Sequence, residues 1–186
     1  GGGMRMFNGS NPELLGVTVS NNTSTLNGGG IAYEGLPAST IEQRLHRVTV
    51  SGNRSSEGVG GGIYLYSSIA TVTRSFIQDN AASLKGGGLS IEWASELTLE
   101  NSFVSGNALT NGVQGSNVYI GKSDQLIGSN EKLIAMNSNL IDTVALSDEN
   151  LFSMYTNGLV KPLLINSIAI GRLDAAIPTG NFDLNY

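Results

Sequence analysis

An all-β solenoid is the fold this sequence predicts, on three observations: a repeat a little under thirty residues long, apolar residues that alternate within it, and glycine triplets that punctuate it. The triplets begin at Gly1, Gly28, Gly60 and Gly86, and a weaker version, GSNVYI, begins at Gly115, giving gaps of 27, 32, 26 and 29 residues. A second marker recurs in each unit. VTVSNN ends at Asn22, VTVSGN at Asn53, SFIQDN at Asn80 and SFVSGN at Asn107, the last three spaced by 27 and 27.

The first strand of each unit follows the triplet. Ile31 and Tyr33 align with Ile63 and Leu65, Leu89 and Ile91, and Val118 and Ile120, a column expected to face inward. Successive side chains on a strand point to opposite faces, so Ala32 and Glu34, Tyr64 and Tyr66, Ser90 and Glu92, and Tyr119 and Gly121 are expected to face solvent. A second strand is read in ATVT and ELTLE, and a third ends at the asparagine marker. Three short strands per unit make one coil, and six to seven coils stacked about 4.8 Å apart give a parallel β-helix roughly 30 Å long. Helical repeats are excluded because nothing between Gly28 and Asn107 sustains an i, i+3, i+4 pattern beside so many glycines. A propeller blade normally needs about forty residues, more than this period provides.

The glycines are expected at a corner where the chain leaves the β region with φ > 0 and stacked backbones approach closely. Asn22, Asn53, Asn80 and Asn107 are expected at another corner, where Asn tolerates the left-handed region and its amide can bond the same residue one coil away. The 32-residue unit owes its length to EGLPASTIEQRLHR, read as a loop leaving one corner. Residues 1–122 form the regular coils. From 123 to 186 the rhythm loosens into a less regular continuation of the β-helix, with SDENLF as a short helical turn capped by Ser147.

Composition narrows the function. A net charge of -5 without a basic block excludes nucleic acid, since phosphate neutralisation needs clustered Lys and Arg. No apolar run reaches the roughly 18 residues of a membrane helix, so no transmembrane segment is read in this chain. Cysteine is absent, which removes disulfides and thiolate chemistry together. The chain opens on GGGMRMFNGS, the start of an internal repeat rather than a cleavable leader, so it reads as a piece of something longer.

GGGIYLYSSIATVTRSFIQDNAA followed by another GGG resembles the right-handed parallel β-helix repeats of large bacterial surface proteins, including polymorphic outer-membrane autotransporters, which pair a GGA[ILV] motif with an FxxN motif. Here the phenylalanines, Phe76 before Asn80 and Phe103 before Asn107, stand one residue further from the asparagine. The tail, NSIAIG from Asn166 and then TGNFDLNY, is similar over about twenty residues to the closing coil of choice-of-anchor Q domain proteins. The resemblance implies a right-handed parallel β-helix exported to the outer cell surface or beyond, a stalk, adhesin or assembly component without catalysis. Its expected partners are further coils or other copies stacked end to end into filaments, with a surface glycan or protein as a lateral ligand. The same fold also carries polysaccharide lyases and hydrolases, and glycan-binding modules form a third class.

Candidate chemistry was sought against that alternative. Glu34 and Glu92 lie in one outward column with Tyr66 between them, so their carboxylates are about 10 Å apart, near the range for inverting hydrolysis yet ordinary for solvated acids. Asp79 stands alone at a turn, and His46, the single histidine, has no Ser or Asp tied to it by a motif. No D-x-D-x-D-G run, GGxGxD nonapeptide or P-loop lysine is present, so no catalytic residue, metal ligand or cofactor is assigned. Thr18, Thr49, Thr71, Thr73 and Thr98 do not make the regular two-column grid of an ice-binding face. The remaining signal is aromatic: Tyr64, Tyr66 and Tyr119 in the outward columns, with Trp93 at the end of the same strand, form a candidate surface patch for a sugar ring or a protein partner. The plainer alternative is tyrosines packing on one another across coils.

Overall fold

Side chains of period two that bury one face of every strand can close only by stacking, and the structure, a computed structural model, shows how. It describes residues 1–8, 10, 12–35, 42–112, 114–121, 131–141, 154–156, 162–170 and 183–185. Four parallel sheets run along the molecule. The first sheet stacks Met4–Phe7, Ile31–Glu34, Ile63–Tyr66, Leu89–Glu92, Val118–Gly121 and Met154–Thr156. The second stacks Leu14–Leu15, Glu42–His46, Ile69–Thr73, Glu96–Glu100, Lys132–Met136, Leu163–Ile165 and Asp183–Asn185. The third holds Thr18–Ser20, Thr49–Ser51, Phe76–Gln78, Phe103–Ser105, Asn139–Ile141 and Ile168–Ile170. The fourth holds the two-residue strands Thr23–Ser24, Arg54–Ser55, Ala81–Ala82 and Ala108–Leu109.

A parallel β-solenoid of about five turns results, slightly fewer than the six to seven expected. Each regular coil also contains four strands, not three. The fourth follows the asparagine marker and is too short to show any alternation in sequence. Within EGLPASTIEQRLHR the reading of a loop is corrected as well, because Glu42–His46 pairs in register with Ile69–Thr73 and turns Gln43 and Leu45 inward. SDENLF lies outside the described residues.

The inner column is as expected. Ile31, Ile63, Leu89 and Val118 pair in register and are essentially buried, as are Tyr33, Leu65, Ile91 and Ile120 two residues on. Leu45, Val72 and Leu99 from the second sheet and Val50, Ile77 and Val104 from the third complete one continuous core. Each such side chain contributes about 1.5–3 kcal/mol when fully buried, so the interior rather than any local propensity holds the coils closed.

Corners fall where the chain enters the left-handed region. Gly28, Gly60, Gly86 and Gly115 have φ between 59° and 70°, which explains the first glycine of each triplet. At the asparagine corner the left-handed residue is the one before the marker asparagine, namely Asn21, Gly52, Asp79 and Gly106. The asparagine itself turns inward instead. Backbone N and Nδ2 of Asn22 both donate to Asn53 Oδ1, at 3.0 and 2.9 Å. Asn53 donates in the same way to Asn80 Oδ1 at 3.0 and 2.9 Å, and Asn80 to Asn107 Oδ1 at 2.9 and 3.0 Å. The second hydrogen of each amide reaches back one coil, from Asn53 to Val19 O, from Asn80 to Val50 O and from Asn107 to Ile77 O.

Both sequence markers meet in this ladder. A Cβ on the third glycine of a triplet would stand 2.9 Å from the Asn53 amide at Gly30, 2.9 Å from Asn80 at Gly62 and 2.7 Å from Asn107 at Gly88. The glycine therefore leaves the space that the asparagine of its own coil fills. Where the weaker triplet has Asn117 instead, its Oδ1 accepts from Asn107 Nδ2 at 2.9 Å.

Candidate functional site

The outer face of the first sheet carries the aromatic residues singled out by sequence, and the glycine corner decides which of them reach solvent. Each left-handed glycine folds the preceding segment over the residue four positions on: a Cβ on Gly60 would lie 2.9 Å from the Tyr64 Cβ, and one on Gly86 3.0 Å from that of Ser90. Val59, Lys85 and Gln114 continue this cover as a bridge ladder across three coils. Ala32, Tyr64, Ser90 and Tyr119 are therefore buried, at 0, 5, 1 and 2% exposure, and the expectation that they face solvent is corrected. Gly121 is buried too, beneath the Tyr119 ring. The next column outward, Glu34, Tyr66 and Glu92, stays partly exposed.

Three of the four aromatics come together. Tyr64 and Tyr66 have ring centroids 6.2 Å apart, and Tyr66 stacks on Trp93 with centroids 5.4 Å apart and planes 20° apart. Tyr119 joins a different group, its hydroxyl accepting from Lys85 Nζ at 3.0 Å while that ammonium sits 4.6 Å from the ring centre. Burial pushes the Tyr64 phenol up, with the charges of Glu92 and Glu34 adding to it, so it acts as a neutral hydrogen-bonding group.

Beside this cluster runs a groove of about 400 Å³. Arg5, Phe7, Asn8 and Asn27 of the first coil, Glu34 of the second, and Tyr64 and Tyr66 of the third line it. Arg5 and Glu34 form an ion pair through guanidinium Nε and Nη2, both on Glu34 Oε2. Phe7 is 54% exposed, and the Arg5 guanidinium carbon lies 5.7 Å from the centre of its ring.

The acids do not assemble into a catalytic pair. Glu34 is tied to Arg5, and Tyr66 intervenes before Glu92. Burial raises the Glu92 carboxyl above the ordinary carboxylate range; the donating Ser90 hydroxyl, 2.8 Å away, and Lys85 oppose the shift, and Glu131 adds to it. Glu131 is a residue that sequence reasoning missed. It is buried, its Oε1 accepts from Ala94 N at 3.1 Å, and its Oε2 has no hydrogen-bond partner among the described residues. Its only sequence signal was a carboxylate immediately before the strand Lys132–Met136, which is unremarkable in an exposed strand flank.

Elsewhere, His46 lies on the second sheet with Nδ1 2.7 Å from Thr73 Oγ1, beside a groove of about 350 Å³ that Glu42, Arg44 and Thr71 also line. The Thr71 hydroxyl donates to Glu42 and holds that carboxyl below its ordinary value. Asp79 occupies the left-handed corner position before Asn80. Among the described residues no group of three His, Asp or Glu could hold a metal ion. Of the threonines, Thr18 pairs with Thr49 on the third sheet and Thr71 with Thr98 on the second, so they share no single face.

Comparison with known proteins adds one match. Residues 16–34 match the Chlamydia polymorphic membrane protein repeat, a stretch running from the left-handed Gly16 through Asn22 and the second glycine triplet to Glu34. Together with the stacked parallel solenoid, that repeat fits a β-helix repeat protein of bacterial surfaces. No curated protein matches the chain, and no solved structure does.

Proposed function

We propose that this chain is a non-catalytic segment of an exported bacterial surface protein, a rod that carries and spaces adhesive surface rather than transforming a substrate. The observation that supports this best is the asparagine ladder. It spends the recurring polar residue of each coil on coil-to-coil bonding, with Asn53, Asn80 and Asn107 fully buried and Asn22 part-buried. The acidic residues that could have served hydrolysis are engaged separately, Glu34 with Arg5 and Glu92 with Ser90. Association follows the same geometry. Further coils, or a second copy of the chain, add by parallel strand pairing along the solenoid axis.

Two measurements test the proposal. Antibodies against this chain are expected to label intact cells that make the whole protein as strongly as lysed ones. The purified chain is expected to release no sugar from pectin, alginate or glycosaminoglycans. Release that survives purification and disappears in Glu92→Gln would establish the enzymatic alternative instead.

A further inference from the structure

The groove beside Tyr66 is flanked by aromatic residues of two coils. Phe7 pairs in register with Glu34, and Glu34 with Tyr66, so the two aromatic residues stand two coils apart on one column with a carboxylate between them. Two coil spacings are about 10 Å. Glu34 holds the position between them, so a ligand ring rests over its carboxylate and against the flanking aromatic rings.

The chemistry of the floor narrows what that ring is. Both Arg5 contacts fall on Glu34 Oε2, and Asn8 and Asn27 add amide groups to the lining, the Asn27 Oδ1 already accepting from Val59 N at 3.3 Å. Arg5 keeps a half-exposed guanidinium whose charge Glu34 balances. An apolar wall with a few convergent hydrogen-bonding groups and no net local charge suits a ligand that is apolar on its faces and polyhydroxylated at its edge. A polyanion is disfavoured further by the chain's net charge of -5. Phe7 supplies exposed apolar surface to the groove, 54% accessible, with the Arg5 guanidinium carbon 5.7 Å from its ring centre.

We propose that this groove is a binding site for neutral glycans, which seats a pyranose ring against Phe7 and Tyr66, over the Arg5–Glu34 pair, and directs its hydroxyls to Glu34, Arg5 and the two asparagines. The site does not depend on where the protein resides, so it stands apart from the surface role proposed above. It overlaps the patch expected from sequence in Tyr66 and the largely buried Tyr64, while Tyr119 does not line it and Phe7, Arg5 and Asn8 enter from the first coil.

The molecule supplies its own reporter. Trp93 is the single tryptophan and stacks on Tyr66, so its emission senses occupancy of the groove. The intact chain would be titrated with neutral hexasaccharides of glucose, mannose, galactose and N-acetylglucosamine, with heparin as the acidic control, followed by tryptophan fluorescence and calorimetry. Saturable binding of at least one neutral hexasaccharide is expected. Phe7→Ala, at an exposed position, should weaken it at least tenfold, while Phe76→Ala, an equally exposed phenylalanine on the third sheet, should leave it unchanged. Absence of saturable binding by all four, equal losses in the two variants, or preference for heparin would each overturn the assignment.

Discussion

Asn80 has its amide fully engaged inside the protein: Nδ2 donates to Val50 O and Asn107 Oδ1, and Oδ1 receives both the backbone N and the Nδ2 of Asn53. Removing that oxygen leaves two buried donors of the neighbouring coil without an acceptor, each costing about 1–3 kcal/mol. Asn80→Ala is therefore expected to destabilise by about 4 kcal/mol in denaturant unfolding. Asn22→Ala, which removes a single part-buried side-chain bond from the ladder, should cost about 1 kcal/mol. Equal costs at both positions would contradict a ladder. Glu92 gives a pH-dependent test at the same scale. Its carboxyl is raised above the unfolded value, so the folded state binds the proton more tightly, and the stability this contributes is present at low pH and lost as pH rises through the folded value. Thermal melts of Glu92→Gln, which keeps an acceptor for Ser90, should show a gain over the parent near pH 8 that shrinks towards pH 4. A difference that stays flat across that range would mean that burial does not govern this carboxylate.

Among the elements, the glycine corner and the ladder strand act as a pair, and two substitutions separate the reasons for glycine. Gly16 has φ +63° with nothing within 4 Å of an added Cβ, so Gly16→Ala should cost only the roughly 1 kcal/mol of a left-handed alanine. Gly62 would place a Cβ 2.7 Å from Gly88 O and 2.9 Å from Asn80 Nδ2, so Gly62→Ala should cost several times more, measured by the same unfolding assay. This cooperation was only partly legible in the sequence. The period, the inward column and the first glycine's left-handed corner follow from residue type and spacing, because alternation and φ > 0 are properties of single strands and single residues. The third glycine's contact with the asparagine, the two-residue fourth strand and the burial of Tyr64 are set by how coils lie on one another. A serine ladder was missed for a related reason. Ser75, Ser102, Ser138 and Ser167 each precede a third-sheet strand, and each hydroxyl accepts from the backbone N one coil earlier at 2.9–3.2 Å. Serine is so common in turns that its recurrence in RSF, NSF, NSN and NSI carries little weight until the coils are stacked. In the candidate groove Tyr66 was legible from its column, whereas Phe7 and Arg5 enter through the register of the first coil.

For the whole molecule, inner columns, ladders and groove all depend on one relation: residues one repeat apart stand side by side on neighbouring parallel strands. The chain contains no cysteine, so this relation can be read by cross-linking without background. Thr71 and Thr98 are register partners on the outer face of the second sheet, 27 residues apart, with backbones separated by one strand spacing of about 4.8 Å, within the reach of a disulfide. Glu100 lies on the same strand and face as Thr98, two residues further on and paired with Thr73, which places it about 8 Å from Thr71 and beyond that reach. Under mild oxidation Thr71→Cys/Thr98→Cys is expected to form an intramolecular disulfide in nearly every molecule, and Thr71→Cys/Glu100→Cys to remain reduced. Comparable cross-linking of the two pairs, or oxidation of the second alone, would contradict the stacked register on which both the rod and its groove are built.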